Sequence, residues 1–157
     1  MTSRRPKLGP VSVSADRRDR WRRGVLAGQG TYYVLIGLWP LLHFSSYASF
    51  VALPMDPFQA QIFGAVILVV GGSLAEAARR EPPGSFPTLL GMAVASAIAL
   101  VSLFWLPRSP AVGGIWLFGE ASGLWVDVLI EVAIAVALVL LYPRPLPERG
   151  RTTTRRR

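Results

Sequence analysis

The longest apolar run of the chain, residues 115–142, spans about 28 residues and would reach about 42 Å as a helix. A bilayer's hydrocarbon core is only about 30 Å thick. The run therefore reads as a membrane span whose first turn or two, residues 115–120, lies at the interface. Inside it stands Trp125-Val-Asp-Val-Leu-Ile-Glu131, with two acids four residues apart. On a helix, that spacing puts both carboxyls on one face, one turn above the other. Two acids in so apolar a run are costly unless they are protonated, paired or turned toward a wet cavity.

The rest of the chain agrees with a membrane setting. Its 157 residues are 52% hydrophobic and only 17% charged, against about 25% charged in a typical soluble domain. There are no cysteines, which excludes disulfides, thiolate zinc sites and thiol redox chemistry. A single histidine excludes a multi-histidine metal or haem site within one subunit. No metal or cofactor is expected. The net charge of +8 is concentrated at the two ends, around an oily middle. That distribution fits orientation signals and anionic lipid better than nucleic acid, which is not expected as a partner.

The expected fold is an all-α integral membrane bundle of four transmembrane helices. Residues 1–23 form a basic segment whose early part is disordered, and Arg17 to Arg23, with Trp21 among them, anchor it at the interface. The membrane domain covers residues 24–142, with spans at about 25–43, 58–74, 86–106 and 115–142, followed by a basic tail at 143–157. The first span opens with Gly24 and Gly28, a spacing that permits close helix approach. Pro40 should kink it or end it early, because proline cannot donate a hydrogen bond and its ring crowds the preceding turn. Residues 44–55, with Phe44, Tyr47, Phe50 and Val51 near one-turn spacing, suit a short helix lying flat in the interface. Asp56-Pro57 reads as a capped helix start. Arg79-Arg80-Glu81 and Pro82-Pro83-Gly84 close the second span, Ser85 caps the third, and Pro107 stops it.

Four spans put both termini on one side. Sixteen of the 17 lysines and arginines then share that side, against Arg108 alone, so both termini are expected in the cytoplasm. Arg20, Arg22, Arg23, Arg79 and Arg80 are the expected contacts to lipid headgroups. Glu76 should pair with Arg79 or Arg80 one turn on. Gln29, Gln59 and Gln61 read as interfacial residues near span ends, and Glu120 as a solvated one. Trp39, Trp105, Trp116 and Trp125 gather in the outer half, as an aromatic belt would.

Partners for the two acids can be sought by depth. Counted from Tyr142, Glu131 lies about 16 Å deep and Asp127 about 22 Å deep. Counted from Gly24 in the first span, those depths fall at Leu35 and Trp39, with His43 one turn beyond. No lysine or arginine occurs inside a span. The candidate partners are His43, Arg108, the Trp39 N–H and the hydroxyls of Tyr32 and Tyr33, provided that the first and fourth spans touch. Two functions compete for such a site. One is a proton-linked transporter or small-ligand binder, since carboxyls in low dielectric can titrate near neutral pH. The other is structural: acids that hydrogen-bond between helices.

Tyr32-Tyr33-Val-Leu-Ile-Gly-Leu-Trp39-Pro40-Leu-Leu-His43, followed by Ser49-Phe50, resembles the opening of a group of small uncharacterised bacterial inner-membrane proteins. Asp127 and Glu131 match the two acids of that group's last helix. The chain departs from the pattern at Pro54-Met55-Asp56-Pro57, where such proteins carry a Gly-Pro-Lys-like loop. The resemblance implies a four-helix protein of the bacterial cytoplasmic membrane and brings no activity with it. Thiol-quinone oxidoreductases are excluded by the lack of cysteine. Small multidrug exporters carry their acid in the first span, and glutathione-dependent membrane enzymes rely on arginines that these spans lack. The reading that follows is a non-enzymatic structural or accessory membrane subunit, whose glycine- and alanine-rich first and third spans would contact a membrane-protein partner or a second copy. The proton-linked or ligand-binding reading comes second, and an enzyme acting on a lipid or quinone-like substrate third.

Overall fold

The computed structural model describes residues 11–51, 55–80, 85–105 and 122–142, the side chains of 11–15, 105, 122 and 123 excepted. Among the described residues the protein is entirely helical, with α1 (Val11–Leu42), α2 (Phe44–Val51), α3 (Pro57–Arg79), α4 (Ser85–Trp105) and α5 (Ser122–Leu141). The helices α1, α3, α4 and α5 are long and apolar enough to cross a membrane. The short α2 lies between the first two of them. Outward-facing Val69, Leu100 and Leu129 are each about two-thirds exposed, an exterior suited to lipid and not to water.

Local chemistry explains most of the boundaries. Asp56 has extended backbone geometry, and its carboxylate accepts hydrogen bonds from the N–H groups of Phe58 (2.9 Å) and Gln59 (3.4 Å). Two N–H groups left over at the start of α3 are thereby satisfied, with Pro57 at the first position needing none. At the other end of α3, Glu76 lies 3.8 Å from Arg79 and 3.6 Å from Arg80, both pairs well exposed. Pro40 ends α1 two residues later and does not break it earlier.

α1 begins well before Gly24. Charges that looked like the end of the span are accommodated on helix: Asp16 pairs with Arg20 and Asp19 with Arg22, each one turn away. Arg18 donates to the carbonyl of Leu140 at 2.6 Å, tying the start of α1 to the end of α5. A cation there also complements the negative end of the α5 dipole.

The helices alternate in direction, and α1 packs most closely on α3. The seam is backbone against backbone. A Cβ on Gly30 would come within 2.6 Å of Ala75 N, and one on Gly37 within 2.6 Å of Leu68 N. From the opposite side, a Cβ on Gly64 would meet Gly37 O at 2.6 Å, and one on Gly71 would meet Gly30 O at 2.7 Å. On each helix the two glycines stand seven residues apart, the repeat that keeps one stripe facing a partner. Gly24 and Gly28, which looked like the packing pair, face outward: a Cβ added at either would have nothing within 4 Å.

α4 packs on α5, and the two helix pairs join through α1. Leu26, Leu74, Ala78 and Leu138 fill the core near the Arg18 end. The other half is less filled, and the cavity described below lies there.

Gly71 and Gly72 allow a matched test of the seam. Gly71→Leu should lose about 1–3 kcal/mol of stability in detergent unfolding, because the new side chain meets α1 backbone. Gly72→Leu, with open space around it, should be neutral or slightly stabilising. Equal losses would mean that the seam is not there.

Candidate functional site

Asp127 and Glu131 stand on the face of α5 turned toward α1. The Tyr32 hydroxyl donates to Asp127 Oδ1. The Tyr33 hydroxyl donates to Glu131 Oε2 at 2.8 Å. Tyr33 in turn accepts from Gln29 Nε2 at 3.1 Å, and the same amide group donates to the carbonyl of Gly91 at 2.9 Å. A chain of hydrogen bonds thus runs from the α4 backbone through Gln29 and Tyr33 to Glu131. Gln29, Tyr33 and Glu131 are each at most 1% exposed, so the chain is fully inside the bundle. Gly91 is what lets Gln29 in, since a Cβ there would lie 2.6 Å from Gln29 Oε1.

Both acids line a cavity of about 140 Å³ between α1, α3, α4 and α5. Its wall is otherwise largely apolar, with Ile67 from α3 and Ile98 from α4. Ser102, Tyr47 and the two tyrosines of α1 add hydroxyls. Phe50 and Val51 of α2 cover the end away from Arg18. Residues 44–51 thus do more than lie at an interface: Tyr47 is 7% exposed and the inner face of α2 forms part of the cavity. Burial, and then the nearby Asp127, push the Tyr47 hydroxyl above its ordinary pKa, so it stays protonated.

Trp39 and His43 serve α2 and not the acids. Trp39 Nε1 donates to Ser46 Oγ at 2.7 Å, and its ring packs on Tyr47 and Phe50, with centroids 6.0 and 5.0 Å away. His43 sits exposed between α1 and α2, where its Nδ1 accepts from the Ser46 N–H at 3.3 Å. That is the work of a helix N-cap. The depth match with Trp39 and Leu35 is corrected to one with Tyr32 and Tyr33, because α1 starts lower than Gly24. Arg108, Glu120 and Trp116 lie outside the described residues.

Among the arginines expected at headgroups, Arg20, Arg79 and Arg80 are exposed at one end of the bundle, and Arg23 is partly covered. Arg22 is turned inward instead, 4% exposed and 3.1 Å from Asp19. Gln29 departs most from its expected role, being buried at the site and not interfacial. The usable signal was its place four residues before Tyr33, on the same helix face. Tyr47 and Ser102 carry no comparable signal, since only the fold brings them to the cavity.

The Tyr33–Glu131 bond can be weighed by a double-mutant cycle of Tyr33→Phe and Glu131→Leu in detergent unfolding. A coupling of about 0.5–1.5 kcal/mol is expected, in the range found for hydrogen bonds between membrane helices. Strictly additive losses would show that the two groups do not interact.

Comparison of the chain with known protein families, with curated proteins and with solved structures finds no match.

Proposed function

We propose that the protein is a non-enzymatic integral membrane protein that binds a small ligand, with an associated proton, at the Tyr32–Asp127 and Tyr33–Glu131 pairs. One observation carries this reading: the two carboxyls stand at the wall of a cavity. Asp127 is only partly buried there, unlike the fully packed Leu26, Leu74 and Leu138, and Glu131 stands behind it at the inner end of the wall. Intramembrane acids mark ligand or proton sites by default. The segregation of sixteen basic residues against Arg108 supports a bacterial cytoplasmic-membrane protein with both termini inside, and the resemblance of residues 32–43 points the same way. Exposed Arg20, Arg79 and Arg80 then meet anionic lipid.

A second reading, an accessory subunit that packs on another membrane protein or on its own copy, is favoured by the open Gly24–Gly28 face of α1. It is compatible with the first, since neither glycine lines the cavity.

Carbodiimide labelling in native membranes tests the binding reading, because the reagent attacks accessible carboxyls in their protonated form. Labelling should be present at acid pH and fall as the pH is raised, since deprotonation removes the reactive species. Glu131→Gln and Asp127→Asn should each remove the modification at their own position. Carboxyls that stay unlabelled at every pH would mean sealed acids, and the binding reading would fall.

A further inference from the structure

We propose that the ligand is a lipid-soluble quinone-type molecule, a single ring bearing carbonyl oxygens, which enters sideways from the bilayer between α3 and α4. The inference rests on the cavity being a ligand site and adds its chemistry and its route.

Size comes first. The cavity measures about 140 Å³. A protein cavity of about 150 Å³ holds one benzene ring, whereas pockets for drug-sized ligands start at about 300 Å³. One ring fits, and any tail must lie outside.

The polar groups decide what that ring carries. Each carboxyl meets its tyrosine through one oxygen, Oδ1 of Asp127 and Oε2 of Glu131. A protonated carboxyl that accepts on one oxygen can donate from the other. Two such donors, one helical turn or about 6 Å apart on one face of α5, can reach two carbonyl oxygens of one ring whose edge lies along that helix. Among the described residues no lysine or arginine lines the cavity, so a phosphate or carboxylate head would find no counter-charge. The aromatic faces of Tyr47 and Phe50 complete a setting for a flat ring.

The route follows from exposure. Phe63 of α3 and Val101 of α4 both line the cavity, yet they are 40% and 59% exposed on the bundle's apolar flank. α3 and α4 barely touch each other. The end toward Phe50 and Val51 is covered by α2, and the opposite end by the packed core. Among the described residues, what remains is an opening onto lipid, which admits an apolar tail and disfavours a water-soluble ligand.

The test is protection from dicyclohexylcarbodiimide. The full chain in phospholipid nanodiscs is labelled with or without 2-decyl-1,4-benzoquinone, decanol or decylamine, and modification of Asp127 and Glu131 is read by mass spectrometry. The decylbenzoquinone, whose ring carries no other substituent, should near saturation reduce labelling about fivefold or more, while decanol and decylamine leave it unchanged. Protection by decylamine instead would overturn the quinone assignment in favour of a cationic head, with the ligand site intact. Labelling that no compound reduces would also overturn it. Absence of labelling under all conditions would instead remove the ligand-site reading on which the inference rests.

Discussion

The contact between α1 and α3 is made by backbone, and the rest of the bundle takes its register from it. Gly30 and Gly37 face Gly71 and Gly64 so closely that a single added carbon at any of the four would strike main chain or the Pro40 ring. In a membrane, where apolar side chains gain nothing by leaving lipid, such close packing is a main source of helix association. α1 is thereby held at one height and one rotation. Tyr33, on the side of α1 that also meets Ile67 and Leu138, then points into the bundle. Arg18, reaching the last turn of α5, ties that helix to the same height.

The two acids of α5 depend on that placement. Removing a carboxyl from water without a partner costs several kcal/mol, and no cation is at hand among the described residues that line the cavity. Tyrosine is a suitable answer, since its ring is at home among apolar side chains while its hydroxyl serves the acid. Gln29 extends the network to α4, so one buried chain of polar groups spans three helices. Below this level the core is filled, and above it the tyrosines and acids border open space under α2. Close packing and the cavity are in this way assigned to different halves of one small bundle.

Much of this was legible in the residues. The four spans, the Asp56-Pro57 start of α3, the Glu76 pairing and the candidacy of Tyr32 and Tyr33 follow from composition, capping chemistry and helical spacing. The register did not. Charge marked Gly24 as the edge of the first span, but ion pairs one turn apart let the helix run back through Asp16 and Asp19, which moved the whole depth scale. Depth counted from Gly24 puts Trp39 level with Asp127, whereas its neighbours in the fold are Ser46, Tyr47 and Phe50. The four-residue spacing of Gly24 and Gly28 points to the wrong face of α1, because the seam is built on glycines seven residues apart. Tyr47 and Ser102 reach the cavity only through tertiary structure, which no local pattern encodes.

The register of α1 against α5 is the claim on which the site stands, and crosslinking tests it without disturbing the site. The chain has no cysteine, so introduced pairs report cleanly. Arg18→Cys with Leu140→Cys should be bridged efficiently by a short bismaleimide in membranes, and Gly24→Cys with Tyr142→Cys should not. That result would place Tyr32 and Tyr33 level with Asp127 and Glu131. The opposite result would move α1 along its axis relative to α5, bring Trp39 to the level of Asp127, and contradict the account.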